Sequence, residues 1–258
     1  MDYLSINRNA WDTRTGIHVE SEMYDMDGFL KGASSLKEIE LAEVGDVRGK
    51  TLLHLQCHFG LDTLSWARKG ARVTGVDLSP EAIKKAIELK KSTSLPGEFI
   101  CSDVYGYERL ATPTHDLVFA SYGVLNWLPD LDRWARVIAK SLKVGGHVHL
   151  IEFHPAFELH CGDAYFSHKE PEVSEAGTYT ENGDGQMVEM ATWSHPLSEV
   201  INVLIGNGIA IDHLNEFPFC LHRSAEGLEE RENGRFYLKD AEHAMPLLYS
   251  VKGTRKGD

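Results

Sequence analysis

The stretch from residue 50 to residue 80 constrains the fold most, because it predicts a strand, a turn, a helix and a second strand in close succession. Residues 51–55 form an apolar run, which is typical of a buried parallel strand. The turn at 56–60 leads into a helical stretch that ends in a cation and a glycine. A second strand, 72–76, ends at Asp77. This order is typical of one half of a doubly wound sheet, in which ligands bind beyond the carboxyl ends of the strands.

The motifs in this stretch resemble those of the class I S-adenosylmethionine (SAM)-dependent methyltransferases. That family has a glycine-rich turn after its first strand, and the aligned positions here are His54, Gln56, His58 and Gly60, so only the last glycine matches. The run 75–80, Gly-Val-Asp-Leu-Ser-Pro, is the usual form of the strand that carries the ribose-binding acid. The resemblance implies SAM as the cofactor and S-adenosylhomocysteine (SAH) as its product.

The resemblance also implies the architecture. We expect an α/β, Rossmann-like, doubly wound seven-stranded sheet whose last strand is antiparallel and lies beside the fifth. We expect a single domain over 1–258 with four parts: an N-terminal cap (1–48), a cofactor-binding core (49–155), a substrate-cover insertion (156–195) and a segment that completes the sheet (196–258). The insertion is polar and rich in aromatic residues, and long loops of this kind are usually functional covers. Residues 183–185 predict a hairpin tip within it.

The N-terminal cap predicts two helices, at 7–12 and at 32–43, separated by an irregular segment. Later strands are predicted at 98–101, 116–120, 147–153, 209–217 and 246–252.

The cofactor site is predicted along the strand tips. In the resembling family Asp77 would accept from the two ribose hydroxyls and Asp103 would meet the adenine amino group, although an Asp after a strand can also simply cap the turn. Trp11 would close over the site or would only pack its segment down. The whole predicted cofactor set is Gln56, Cys57, His58, Gly60, Asp62, Thr63, Asp77, Leu78, Asp103, Val104, Ser121, Tyr122 and Trp11.

His154 is the predicted general base, because it lies at the tip of the fifth predicted strand. Its alternative role is a hydrogen bond to substrate or backbone. Methyl transfer requires mainly alignment and exclusion of water, and a base helps only when the nucleophile is protonated. The acceptor is expected to be a small molecule, and the predicted substrate-binding residues are Asn126, Trp127, Trp193 and His195.

Composition excludes several partners. The chain has 26 basic and 39 acidic residues, which argues against a nucleic-acid partner because such a surface must be basic. Four cysteines without C-x-x-C spacing predict reduced thiols, and no apolar run is long enough for a membrane helix, so a cytoplasmic protein is expected. The thirteen histidines show no zinc-site spacing, so we expect no metal. Whether the chain is a monomer or a homodimer stays open.

The motifs can be compared with those that three other functions require. No G-x-S-x-G motif supports a serine hydrolase. A nicotinamide-dependent oxidoreductase would need glycine in the 56–60 turn, so that the backbone approaches a pyrophosphate; SAM has no phosphates and tolerates this turn better. A non-catalytic SAM-binding protein of the same fold remains the main alternative to a methyltransferase, because the two share these motifs.

Overall fold

A seven-stranded sheet forms the centre of the molecule. The structure, a computed structural model, describes residues 1–239 and 243–257. The sheet strands are β1 (Thr51–Leu55), β2 (Arg72–Asp77), β3 (Glu98–Cys101), β4 (His115–Ser121), β5 (Leu142–Phe153), β8 (Ile209–Phe217) and β11 (Leu248–Arg255). Two short hairpins lie outside this sheet: β6 (Glu172–Ala176) with β7 (Val188–Thr192), and β9 (Leu228–Glu230) with β10 (Phe236–Leu238).

The strand order is β3-β2-β1-β4-β5-β11-β8. The pairs from β3 to β5 are parallel, whereas β11 is antiparallel to both β5 and β8. Ser250, in the middle of β11, lies opposite Ile151 on one side and Asn215 on the other. This confirms the predicted fold, including the antiparallel last strand beside the fifth strand of the sheet.

Helices cover both faces of the sheet. They are α1 (Tyr3–His18), α2 (Met26–Leu30), α3 (Glu38–Val44), α4 (Leu61–Arg68), α5 (Pro80–Thr93), α6 (Val104–Tyr107), α7 (Leu131–Ser141), α8 (Pro155–Cys161) and α9 (Leu197–Gly206), with short 3-10 turns at Leu125–Trp127 and Glu232–Gly234. Trp134 of α7 belongs to the core on one face, and Trp66 of α4 belongs to the core on the other. No helix in the described part of the chain is long and apolar enough to cross a membrane.

The N-terminal helices differ from the prediction. The first extends well beyond 7–12 on both sides, because the Asp2 side chain accepts the Ser5 N–H and caps it. The second begins only at Glu38, since Ser35 does not cap it. The Ser35 hydroxyl instead donates to the Asp62 carboxylate at 2.6 Å, which ties this segment to the start of α4.

The cap, the insertion and the core are joined by specific hydrogen bonds. The Asn7 amide donates to the Ala191 carbonyl at 2.8 Å and accepts from the Ala191 N–H at 2.9 Å. These two hydrogen bonds attach α1 to the free backbone edge of β7. The Tyr24 and Tyr179 hydroxyls lie 2.6 Å apart and join the cap to the loop between β6 and β7. That loop turns as predicted at 183–185, where Asp184 has a φ of 45°.

Candidate active site

A cavity of about 510 Å³ opens at the carboxyl ends of β1, β2 and β4. Its floor is the strand tips with the turn at 56–60, and one wall is α1. Tyr179 and Met190 of the insertion and His222 of the segment before β9 close the remaining sides. The cavity therefore draws on every part of the chain, and it lies where a doubly wound sheet binds its ligand.

The turn after β1 keeps the backbone path of a glycine-rich turn. Gln56, His58 and Gly60 have φ angles of 56°, 50° and 81°, so all three are left-handed. This conformation favours glycine, and a non-glycine residue pays roughly 1–2 kcal/mol to adopt it. Gly60 is also required by packing, because a Cβ there would lie 2.7 Å from the Phe99 ring. The two missing glycines have thus changed the side chains that surround the cavity without changing the shape of the turn.

Asp77 lies at the end of β2 and borders the cavity. One carboxylate oxygen accepts the His58 N–H at 2.7 Å and the other accepts the Ser79 N–H at 2.9 Å. Burial raises the pKa of Asp77 to about 6, and these two hydrogen bonds oppose the rise. A carboxylate can accept about four hydrogen bonds, so two positions remain for a ligand.

Asp103 has the capping role that the sequence left open. Its carboxylate accepts the Gly106 N–H at 2.9 Å at the start of α6. It also borders the cavity, one residue before Val104, which does so too. Its contact with an adenine stays a prediction.

Trp11 and His58 pack against each other at the cavity. Their ring centroids are 5.1 Å apart, and Trp11 also lies edge-on to Trp127 at 5.2 Å. His18 approaches His58 from the other side, with 2.9 Å between ring nitrogens. Burial lowers the pKa of both histidines, so the side chain that replaces the middle glycine is a neutral imidazole packed against the cap.

The loop after β4 is fixed by one buried acid, Glu152, near the end of β5. Its carboxylate accepts backbone N–H groups from Gly123, Val124, Leu125 and Phe153. Burial raises its pKa and these four hydrogen bonds oppose the rise. Glu152 therefore fixes the backbone of the loop that presents Asn126 and Trp127 to the cavity.

Most of the predicted site residues border the cavity. Those that do are Gln56, Cys57, His58, Gly60, Asp62, Asp77, Leu78, Asp103, Val104, Ser121, Tyr122, Trp11, Asn126 and Trp127. Thr63 does not: it is buried behind the turn, where its hydroxyl lies 2.8 Å from the His54 Nδ1.

The structure places His154, the predicted base, at the start of α8 and not at the cavity. Its Nδ1 accepts the Ala156 N–H at 3.0 Å, which makes it the N-cap of α8, and its Nε2 lies 2.8 Å from a Glu216 oxygen. It does not border the cavity. The end of β5 does reach this edge of the sheet, but the His154 imidazole caps the first turn of α8.

Trp193 and His195 also lie outside the cavity. Trp193 packs edge-on against Tyr3 at 5.1 Å. His195 fastens the chain to the 128–131 turn, with its Nε2 2.8 Å from the Leu128 carbonyl and its Nδ1 3.1 Å from Glu199. These two side chains hold the insertion to the core instead of facing a substrate.

Other residues at the cavity were missed. Glu40, Lys37 and Tyr24 come from the cap, and His222 comes from the segment before β9. Glu40 is completely buried. No sequence signal distinguished it, because a glutamate in the run Glu-Ile-Glu-Leu-Ala-Glu is typical of a solvated helix face. Among the described residues, no group of three or more His, Cys, Asp or Glu side chains could hold a metal ion.

Comparison with known proteins agrees with this geometry. Residues 53–150 match the family model described as a methyltransferase domain. This segment is similar to a methyltransferase domain. The match confirms the resemblance to class I SAM-dependent methyltransferases, and it covers the first turn, Asp77 and Asp103.

Curated relatives of the methyltransferase domain are named ubiquinone biosynthesis O-methyltransferase. The protein from Proteus mirabilis is 28% identical over 154 residues, which cover 53% of this chain and 62% of that protein. The protein from Photorhabdus laumondii is 26% identical over 134 residues, which cover 50% and 55%. The matched segment thus spans little more than half the length of these relatives.

Solved structures share the fold over most of the chain. A SAM-dependent methyltransferase from Mesorhizobium loti has a TM-score of 0.57 at 20% identity and covers 88% of this chain and all of its own. A protein from Pyrococcus horikoshii has a TM-score of 0.60 at 15% identity, with coverage of 92% and 95%. At these identities the likeness shows the fold around the methyltransferase domain.

Proposed function

We propose that this protein is an enzyme that transfers the methyl group of SAM to a small-molecule acceptor. The observation that carries the proposal is the turn at 56–60, whose left-handed backbone lies beside the buried carboxylate of Asp77 on the floor of the cavity. The matches to methyltransferases support it, and the names of the curated relatives support a small acceptor.

The residues at the cavity fit SAM. Asp77 has two free acceptor positions for the ribose hydroxyls, and Asp103 and Val104 border the part where the adenine would lie. The methionine end would lie along the 56–60 turn, near Asp62 and Ser121. Asp62 is a buried carboxylate held by Ser35, so it could receive the α-ammonium group of the cofactor.

When bound, SAM supplies an electrophilic methyl group on a sulfonium. The chain needs to align an acceptor with that methyl group and to exclude water. Glu152 contributes by fixing the loop that carries Asn126 and Trp127. Trp11 and His58, which pack against each other at the cavity, would contribute to the exclusion of water.

The insertion at 156–195 is proposed as the cover of the acceptor end. Tyr179, Met190 and Thr192 from this segment border the cavity, which supports the proposal. Arg14 of α1 donates to the Gly177 carbonyl at 2.8 Å and holds the loop between β6 and β7 over the site. Trp193 and His195, which were expected to face the acceptor, have the fastening role described above.

The proposal is tested by calorimetry with SAH and with NAD. We expect SAH to bind with a micromolar dissociation constant, about −8 kcal/mol, and NAD not to bind. Asp77→Ala should weaken SAH binding by about 1.5–3 kcal/mol, because it removes hydrogen bonds to a charged acceptor. Asp46→Ala, at an exposed carboxylate paired with Arg48, is the matched control and should leave the affinity unchanged. Heat from NAD but not from SAH would contradict the proposal.

A further inference from the structure

Glu40 of α3 is a buried acid. Its side chain is 0% exposed, and among the residues that the structure describes no group makes a hydrogen bond of normal geometry to either carboxylate oxygen. It borders the cavity. Buried carboxylates in folded proteins are almost always paired or hydrogen-bonded, and an exception needs an explanation. A group that binds in the cavity would supply the missing partner.

Tyr122 is the side chain that faces this acid. Its hydroxyl is close enough to lower the pKa of Glu40, although no hydrogen bond of normal geometry joins them, and the hydroxyl likewise has no other partner. Tyr122 has a left-handed backbone, with a φ of 57°, and it directly follows β4. A non-glycine residue holds this conformation only where its surroundings impose it, and such residues cluster at functional sites.

Three further groups surround the pair, each from a different part of the chain. Lys37 lies at the start of α3, Asp62 lies in α4, and the His222 ring is perpendicular to Tyr122 at 5.2 Å. All three border the cavity. Burial and the nearby Lys37 lower the pKa of His222 to about 3, so this imidazole is neutral. Burial raises the pKa of Glu40 to about 7, and the negative charge of Asp62 adds to the rise.

Resting on the proposed function, we propose that Glu40 and Tyr122 form the acceptor site, and that the acceptor is a small molecule whose nucleophile is a hydroxyl group. Tyr122 contacts the acceptor oxygen, and Glu40 behind it receives the proton. Neither residue has a role in holding SAM.

The proton transfer balances as follows. The acceptor oxygen forms a bond to the methyl carbon while the sulfur–methyl bond breaks, and that bonding pair stays on sulfur as a thioether. The hydroxyl proton passes to the Tyr122 oxygen while Tyr122 releases its own proton to Glu40, which later returns it to solvent. A carboxyl group that titrates near neutral pH is suited to receive a proton under those conditions.

The proton relay favours a hydroxyl over an amine. A hydroxyl nucleophile must lose its proton as it attacks, and Glu40 is placed to receive that proton, whereas a neutral amine attacks through its lone pair. Lys37, which also borders the cavity, would attract a developing oxyanion, and the negative charge of Asp62 offsets part of this attraction.

The test uses the full chain saturated with SAH and two pairs of probes. Catechol and benzyl alcohol are compared with their methyl ethers, veratrole and benzyl methyl ether, by ligand-observed NMR. We expect each hydroxyl probe to bind about tenfold more tightly than its ether, and its binding to strengthen as the pH rises from about 6 to 8, when Glu40 ionises. Glu40→Gln and Tyr122→Phe should abolish both the preference and the pH dependence while SAH binds as in the parent.

The control is Glu38→Gln, which removes one acid from the exposed start of the same helix and should retain the preference. If the hydroxyl probes bind no better than their ethers in the parent, or keep their advantage in both variants, the proposal is wrong. Weaker SAH binding in Glu40→Gln would make Glu40 a cofactor ligand, which overturns the proposal and leaves the methyltransferase activity standing. A parent that binds no SAH contradicts the proposed function and this proposal with it. If Glu40→Gln does not fold, Tyr122→Phe decides.

Discussion

At the scale of single residues, the left-handed backbone of Gln56 should be measurable as strain. Its amide donates to the Val124 carbonyl at 2.7 Å, so any replacement also loses this hydrogen bond. Gln56→Gly and Gln56→Ala lose it equally and differ only in how well they adopt a φ of 56°. We expect the glycine variant to be more stable than the alanine variant by about 1 kcal/mol, in denaturant unfolding.

The same comparison of glycine with alanine at Ala135, in the middle of α7, is the control for glycine's flexibility. There the parent residue is alanine, and Ala135→Gly should reduce stability by about 1 kcal/mol. If Gln56→Gly were also less stable than Gln56→Ala, the turn would not have the left-handed path described above.

Glu40 gives a second prediction at this scale, in the pH dependence of stability. Its pKa is about 7 in the folded chain and 4.5 when unperturbed, so the folded state binds more protons between these values. Glu40 therefore reduces stability as the pH rises from about 4.5 to 7, by up to about 3 kcal/mol. Glu40→Gln should unfold at a higher temperature than the parent at pH 8, and the difference should shrink towards pH 4.5.

The parent must be compared with the variant at each pH, because burial also raises the pKa of Asp77 to about 6 and that of Glu158 to about 8. Those two contributions act in the same direction in both proteins and cancel in the difference. A constant difference between the two proteins from pH 4.5 to 8 would show that Glu40 is solvated or paired.

At the scale of an element, the start of α8 depends on His154. Its Nδ1 accepts the Ala156 N–H, and the loss of an N-cap costs about 0.5–2 kcal/mol. We expect His154→Ala to lower the free energy of unfolding by this amount without changing SAH affinity, and His154→Asn, which can cap, to recover most of it. Calorimetric titration together with thermal unfolding measures both. A fall in SAH affinity with unchanged stability would return His154 to the site.

At the scale of the whole molecule, α1 and the β6–β7 hairpin are proposed to form one cover over the cavity. Asn7 joins them by two buried hydrogen bonds to Ala191. Asn7→Ala leaves the Ala191 carbonyl and N–H unpaired, so it should cost about 1–3 kcal/mol of stability. It should also increase hydrogen exchange in both elements at once, because neither is held without the other.

Asn9→Ala is the matched control, because Asn9 is exposed and lies two residues further along the same helix. It should change neither property. Faster exchange in α1 with unchanged exchange in β7 would show that the cap and the insertion move independently. The cavity would then have two separate covers, contrary to the arrangement proposed above.

The sequence alone determined the sheet and the floor of the site. The alternation of apolar runs and helices predicts a parallel sheet with crossover helices, and the resemblance to class I methyltransferases implied the seven strands and the antiparallel last one. Asp77 and the 56–60 turn could be placed for the same reason: residues at the carboxyl ends of adjacent parallel strands meet at one edge. These are local patterns combined with a topological rule, and the structure contains them at the predicted positions.

Only the tertiary structure decided which side chains surround the acceptor end of the cavity. His154 was predicted there because it follows the fifth strand, but its imidazole caps the start of α8. Glu40 was missed because burial depends on what packs over a helix, and His222 was missed because it comes from a segment far along the chain. Tyr122 was predicted at the site, as a residue that binds the cofactor. A pattern of nearest neighbours in sequence carries no information about such contacts. Burial itself, by removing water from Glu40, gives this carboxyl group the properties on which the proposed chemistry depends.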